Sequence, residues 1–424
     1  ELPPIVRFER QGGGKEAIEN AAKLLSKAKF PVILSGAGVV LGGAIDECKK
    51  LAEKLDAPVC NGYQHNDSFP GSHPLAVGPL GYNGSKAAME LISKADVVLA
   101  LGTRLNPFST LPGYGIDYWP KKATIIQVDM NPDRIGLTKK VSVGICGDAK
   151  QVAQQILDKL SSDAGNTGRE ERKNLIHKTK SAWLQTLSGL DHEEDDPGTV
   201  WNKEARERDK DRMSPRQAWR AIQDALPQDA IISSDIGNNC AIGNAYPTFE
   251  KPRKYLAPGL FGPCGYGFPA ILGAKIGCPD TPVVGFAGDG AFGISMNEMS
   301  SCAREEWPAI TMVIFRNYQW GAEKRNSILW FDDNFVGTEL DPELSYAKVA
   351  NACGLKGVTC KTMEETTKAI KQSCEDQKKG ITTFIEIILN QELGEPFRRD
   401  AMKKPVKVAG IKKEDMKKQP SLIS

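Results

Sequence analysis

The sequence predicts an α/β protein with two doubly wound parallel-sheet domains, and three observations carry that prediction. Short apolar runs alternate with stretches of helical periodicity over residues 15–165 and again over residues 214–395. Strands covered by helices on both faces read as continuous apolar runs, which is the pattern of a parallel sheet. A charge-rich stretch with few strand signals, residues 166–213, separates the two series and predicts a solvated helical connector. A chain of 424 residues is also long enough for two or three cores.

Residues 1–14 (ELPPIVRFERQGGG) read as a linker, and their start at Glu1 reads as one exposed by truncation or processing. Phe30–Leu34 predicts the first strand, Ala44–Leu55 a helix and Ala57–Cys60 the second strand. Gly84–Lys94 predicts a helix, Asp96–Leu101 and Ala123–Val128 strands, and Ala149–Leu160 a helix after Gly147-Asp148. Order returns at Ser214-Pro215, an N-cap residue followed by proline at the first helical position. Strands are then predicted at Ala230–Ser233, Pro282–Ala287, Ala309–Phe315, Val358–Lys361 and Thr382–Leu389. The helices between them are Gly267–Ile276, Ser295–Arg304, Ser345–Cys353 and Met363–Gln377, and residues 396–424 form a Lys-rich arm.

Composition excludes several classes. Hydrophobic residues at 40% and charged residues at 25% are ordinary for a soluble globular chain, which argues against disorder and fibrous folds. A formal charge of +2 gives no electrostatic reason to expect a nucleic acid or an anionic membrane as partner. The longest uncharged stretch, residues 255–274, carries five Gly and three Pro and reads as a loop entering a helix rather than a bilayer span. Ten Cys without a C-x-x-C pair fit reduced, buried thiols in a cytoplasmic protein. The P-loop pattern and H-E-x-x-H are both missing, and His65 reads as a structural histidine. Gly36-x-Gly38 after the first strand lacks the third glycine of a dinucleotide fingerprint, because Leu41 stands there.

The strongest local feature is Gly288-Asp289-Gly290, directly after the strand PVVGFA. Ligands of open parallel sheets bind at the carboxyl ends of strands, so Asp289 falls where a ligand would sit. The next strand ends at Arg316-Asn317, with Asn317 28 residues after Asp289, an interval that fits one helix and one strand. A carboxylate, an amide oxygen and a backbone carbonyl at neighbouring strand ends make a donor set for a hard cation such as Mg²⁺ on a diphosphate.

The segment GDGAFGISMNEMSSCAREEWPAITMVIFRN resembles the signature of the thiamine-diphosphate enzymes. That resemblance implies that Asp289, Asn317 and the carbonyl of Gln319 hold Mg²⁺, with Gly288, Gly290, Ala291 and Phe292 beside the cofactor. SSDIGNNC resembles the segment that contacts the diphosphate, which implies roles for Gly237, Asn238 and Asn239. LFGPCGYGFPAILGAK resembles the loop beneath the thiazolium ring, where Cys264 replaces the bulkier Met or Leu of many relatives. Arg316 replaces the first residue of the usual Asn-Asn, a position that does not ligate the metal, and is expected to matter little.

The segments HNDSFPGSHPLAVGPLGYNGSKAAM, SVGICGDAK, NYQWGAEKRN and ELGEPFRRDAMKKPV, with Cys264-Gly265-Tyr266, resemble the sulfoacetaldehyde acetyltransferase family from about residue 15 to residue 408. The reaction implied converts sulfoacetaldehyde and inorganic phosphate to acetyl phosphate and sulfite, the cofactor acting as electron sink. Two anions near the cofactor call for cationic donors, and Lys324, Arg325, Arg398 and Arg399 are the candidates, with Trp320 as a candidate pocket wall. The resemblance also implies three α/β domains in a homodimer or homotetramer. The chain matches only the central and diphosphate-binding ones, so the pyrimidine-binding domain and its activating Glu are expected outside these residues. Two other readings remain at this stage: an acetohydroxyacid synthase-like or 2-hydroxyacyl lyase enzyme, and an inactive cofactor-binding subunit that needs a partner domain.

Overall fold

The computed structural model describes residues 9–190, 207–259, 261–330 and 335–392. Two six-stranded sheets form, and every strand pair in them is parallel. The first contains β1 (Pro31–Ser35), β2 (Val59–Asn61), β3 (Ala76–Pro79), β4 (Val97–Leu101), β5 (Thr124–Asp129) and β6 (Val143–Cys146), in the order β3-β2-β1-β4-β5-β6. The central strands β1 and β4 are buried along their whole length, as their unbroken apolar runs predict. The edge strands β3 and β6 carry Gly78, Pro79 and Gly144 in place of an apolar run, and sequence periodicity did not reveal them.

The second sheet contains β7 (Ile231–Ser234), β8 (Tyr255–Leu256), β9 (Val283–Gly288), β10 (Thr311–Arg316), β11 (Lys356–Cys360) and β12 (Thr383–Ile388), in the order β11-β12-β10-β9-β7-β8. Helix Pro215–Ala225 starts on a capping box between Ser214 and Gln217, and its Trp219 packs on Phe286 and Phe315 with ring centroids 4.8 and 5.3 Å away. The Trp219 indole N–H donates to the Asn239 carbonyl at 2.7 Å, so a core side chain fixes the short helix after β7.

Two expectations need correction. The helix predicted at Ser295–Arg304 begins instead at Asp289 and runs to Ser295, followed by a 3₁₀ turn and a short helix, Met299–Cys302. The chain turns directly from strand to helix at GDGAFG, although glycine is a weak helix former. The connector is not simply solvated either: helix Arg169–Leu190 docks through Arg172, which is buried and donates to the carbonyls of Lys29, Leu55, Asp56, Gly165 and Thr167. Trp183 and Leu187 of this helix join the second core. Among the described residues no helix is long and apolar enough to cross a membrane.

Buried hydrogen bonds join the two halves. Asn66 donates to the carbonyls of Asn244 and Pro247, both at 2.9 Å, and the Asp67 carboxylate accepts from the Lys254 and Tyr255 amides at 3.0 and 3.3 Å. The segment YQHNDSFP thus holds the loops that border β7 and β8.

Candidate functional site

β7 pairs with β8 on one side and β9 on the other, so the strand order reverses there and a crevice opens at the carboxyl ends. Phe315 of β10 stands in register with Gly288 of β9, which places Asp289 beside Arg316 and Asn317. The two donors predicted from sequence therefore leave adjoining strand tips. One oxygen of the Asp289 carboxylate accepts from Arg316 Nη1 at 3.0 Å and from the Tyr318 amide at 2.7 Å. The other accepts from the Gly290 amide at 2.9 Å. Asn317 Nδ2 lies 3.5 Å from Asn239 Oδ1, so the short helix after β7, Asn238–Ile242, reaches the same point. Among the described residues, Asn317 Oδ1 and Gln319 Oε1 are buried without a hydrogen-bond partner. The unpartnered Asn317 Oδ1, at the strand tip adjoining Asp289, is a donor that a hard cation would satisfy.

Burial pushes the Asp289 carboxyl up to about 6, opposed by Arg316 and by the amides of Tyr318 and Gly290. Because this folded-state value is raised, the folded protein binds the proton more tightly than the unfolded chain does. Stability from this group is present at low pH and is lost as pH rises through about 6. Melting the metal-free protein against Asp289→Asn should therefore show the wild type losing stability relative to the variant between pH 4 and 7, by on the order of 3 kcal/mol at most. A difference that does not change with pH would refute this.

Arg316 is not a minor departure. It is 1% exposed, and besides Asp289 it donates to the carbonyls of Asp341 and Leu344. Its Nε lies 3.8 Å from Glu386 Oε1, and its guanidinium stacks 4.2 Å from the Tyr318 ring centroid. Glu386 in turn accepts from Ser345 Oγ and the Tyr346 amide. Arg316 thus sits between two buried carboxylates and binds the tip of β9 to β12.

The rest of the loop after β10 is held from the segment that follows β12. Gln391 donates to the Asn317 carbonyl at 3.2 Å, and the Gln391 carbonyl accepts from Gln319 Nε2 at 3.3 Å. Lys324 belongs to this network: it is buried and donates to Glu339 and to Gln391 Oε1, away from the open crevice. Trp320 covers Gly290, where a Cβ would lie 2.8 Å from the indole ring, so only glycine permits that approach. Ala291 and Phe292 are buried in the core beneath, with Cys264 packed on the same cluster. The Cys264 thiol is pushed up by burial and by Asp235 and Glu323, and so stays protonated at neutral pH.

A cavity of about 1000 Å³ lies between the two sheets' strand ends, lined by Gly237, Asn238, Arg325, Tyr82, His65 and Arg104 among others. Of the predicted cationic donors, Arg325 faces this cavity, and Arg398 and Arg399 lie outside the described residues. His65 is driven down to about 4 by burial and by Arg104, so it is neutral at pH 7. Sequence reasoning missed Asp235, Tyr82 and Gln391. Asp235 accepts from the amides of Gly265 and Gly267 at 3.1 and 2.7 Å and so fastens the loop that carries Cys264. It follows β7 directly, and the strand-end rule that found Asp289 would have found it too.

Residues 18–156 match the thiamine pyrophosphate enzyme central-domain family, and residues 235–387 match the C-terminal TPP binding domain family of the same enzymes. A probable sulfoacetaldehyde acetyltransferase from Rhizobium meliloti (strain 1021) is 77% identical over 99% of this chain and 71% of its own length. A sulfoacetaldehyde acetyltransferase from Roseovarius nubinhibens is 74% identical over 99% of this chain and 70% of its own. Among solved structures, benzoylformate decarboxylase from Polynucleobacter necessarius superposes with a TM-score of 0.70 over 93% of this chain and 69% of that one, at 20% identity, a likeness of fold alone. With a relative this similar covered over more than two thirds of its length, the chain belongs to the sulfoacetaldehyde acetyltransferase family of thiamine pyrophosphate enzymes.

Proposed function

We propose that this chain carries the central and diphosphate-binding parts of an enzyme that converts sulfoacetaldehyde and inorganic phosphate to acetyl phosphate and sulfite. The observation behind it is the meeting of Asp289 and Asn317 at adjoining strand tips, in a chain 77% identical to a relative named for that activity. In this reading Asp289, Asn317 and the Gln319 carbonyl hold Mg²⁺. Gly237, Asn238, Asn239, Gly288 and Gly290 border the diphosphate, and Cys264, Ala291 and Phe292 support the cofactor from below. Among the described residues, Asn317 Oδ1 and Asn238 Nδ2 have no hydrogen-bond partner, which fits a cation and an anion respectively.

When bound, thiamine diphosphate supplies the electron sink for carbon–carbon and carbon–sulfur chemistry. The chain's own residues bind, orient and exclude water. Trp320 closes the site over Gly290, and Arg325 offers a cationic donor at the cavity wall. Ten unpaired cysteines support a reducing, cytoplasmic setting, and assembly as a homo-oligomer follows from the family resemblance.

Phosphate-dependent release of sulfite from sulfoacetaldehyde, assayed in the protein that carries this chain, tests the reading. Condensation of pyruvate without sulfite release would replace it with an acetohydroxyacid synthase-like activity. Tight cofactor binding without any turnover would point to an inactive subunit.

A further inference from the structure

We propose that Tyr318 is a positioning residue of the candidate Mg²⁺ site: stacked against Arg212 and Arg316, it holds the backbone bend between Asn317 and Gln319. The inference rests on the function proposed above and deepens its metal site. It names two residues, Tyr318 and Arg212, that neither the motif nor the strand-end rule identifies.

Tyr318 has φ +62°. A left-handed backbone crowds Cβ against the following carbonyl, so a bulky residue keeps it only where the surroundings impose it. The bend separates two kinds of pairing. Arg316, at the end of β10, still bonds in the parallel sheet, its carbonyl accepting from the Leu389 amide at 3.0 Å. Two residues later the chain pairs antiparallel with residues 338–340. There the Tyr318 carbonyl accepts from the Leu340 amide at 2.9 Å, and the Trp320 amide donates to the Thr338 carbonyl at 2.8 Å. In that pattern the opposed pair, Gln319 and Glu339, exchange no main-chain bond, and the Gln319 carbonyl faces away from residues 338–340. The turn at Tyr318 thus frees this carbonyl while Asn317 stays at the strand tip.

Three sets of contacts impose the turn. The Tyr318 amide donates to Asp289 at 2.7 Å, and Leu340 holds the carbonyl. The ring supplies the third. The guanidinium carbon of Arg316 stands 4.2 Å from its centroid and that of Arg212 4.8 Å, both close enough for a cation–π contact. Each arginine is itself anchored. Arg316 is fixed by Asp289 and by the Asp341 and Leu344 carbonyls. Arg212 Nη1 lies 2.9 Å from Asp209 Oδ1, and the buried Asp209 accepts from the Gln391 amide at 3.1 Å through its other oxygen. Arg212 precedes helix Pro215–Ala225, so a side chain from outside the strand–helix–strand motif steadies the residue between two metal donors.

The test uses the protein that carries this chain and follows thiamine diphosphate retained in equilibrium dialysis as Mg²⁺ is raised. Tyr318→Leu removes the ring and takes up a left-handed backbone poorly, and it should raise the Mg²⁺ midpoint about tenfold. Tyr318→Phe keeps the ring and should stay within about threefold of wild type. Tyr318→Asn removes the ring but accepts a left-handed backbone, and it should recover most of the loss seen with leucine. Arg212→Gln should raise the midpoint about threefold to fivefold, and adding it to Tyr318→Leu should bring no further loss, because the arginine acts through the ring. Its side chain is 29% exposed and Asp209 keeps Arg208 as a partner, so Arg212→Gln carries the test should Tyr318→Leu fail to fold.

Midpoints within about twofold of wild type for both Tyr318→Leu and Arg212→Gln, beside a large loss in Asp289→Asn, would leave the metal site standing and overturn the positioning role. A Tyr318→Asn variant as weak as Tyr318→Leu would overturn it too, because the ring would then serve packing rather than the bend. The expected pattern of midpoints without any release of sulfite would count against the proposed activity and leave Tyr318 in its role.

Discussion

Replacing Asp289 with Asn should remove Mg²⁺-dependent binding of thiamine diphosphate, lowering affinity by at least about 100-fold in calorimetry. Asp289 is the carboxylate at the meeting of β9 and β10, and it is 1% exposed. Its proposed co-ligands, Asn317 and the Gln319 carbonyl, are neutral. A hard divalent cation in a buried site depends on charged oxygen, so the neutral amide cannot replace it. The Asn variant is the informative one because it keeps the volume and can still accept from the Tyr318 amide, which bonds the carboxylate at 2.7 Å. Asp289→Ala would lose binding too, but it would also leave Arg316 facing a void, and binding loss would be mixed with unfolding. Affinity within threefold of wild type in the folded Asn variant would remove Asp289 from the proposed metal site.

How much of this was readable in the chain differs residue by residue. The pairing of Asp289 with Asn317 was legible because it needs only two local facts: each follows an apolar strand, and their separation fits one helix and one strand. Parallel sheets turn such local facts into a shared edge. Arg316 was underestimated because its importance depends on register. Only when Phe315 stands opposite Gly288 does its guanidinium fall between Asp289 and Glu386, and register has no local signature in a strand buried on both faces. Tyr82 hydrogen-bonds to Asn238 and Arg325, 156 and 243 residues away in sequence, and no periodicity links them. The glycine-rich start of the helix at Asp289 was misread for a different reason: tertiary packing under Trp320 overrides the weak helix propensity of glycine.

Arg316→Gln should lower stability by about 3–5 kcal/mol at pH 7.5, the cost of leaving buried carboxylates without their counter-ion. Asp289, Arg316 and Glu386 are each 1–2% exposed, so solvent does not screen them and salt will not mask the effect. The arginine also supplies hydrogen bonds to the Asp341 and Leu344 carbonyls, which a shorter amide cannot reach together. The pH dependence separates the electrostatic part from lost packing. Without the guanidinium the Asp289 carboxyl rises further above its present value of about 6, and acidification then neutralises the group that the substitution orphaned. The deficit of the variant should therefore shrink as pH falls from 7.5 to 5, whereas a packing defect would stay constant. Combining Arg316→Gln with Asp289→Asn should recover part of the loss, since the pair is removed together. A single variant within about 0.5 kcal/mol of wild type would mean that this buried cation does not hold β9 to β12, and that its place beside Asp289 has some other cause.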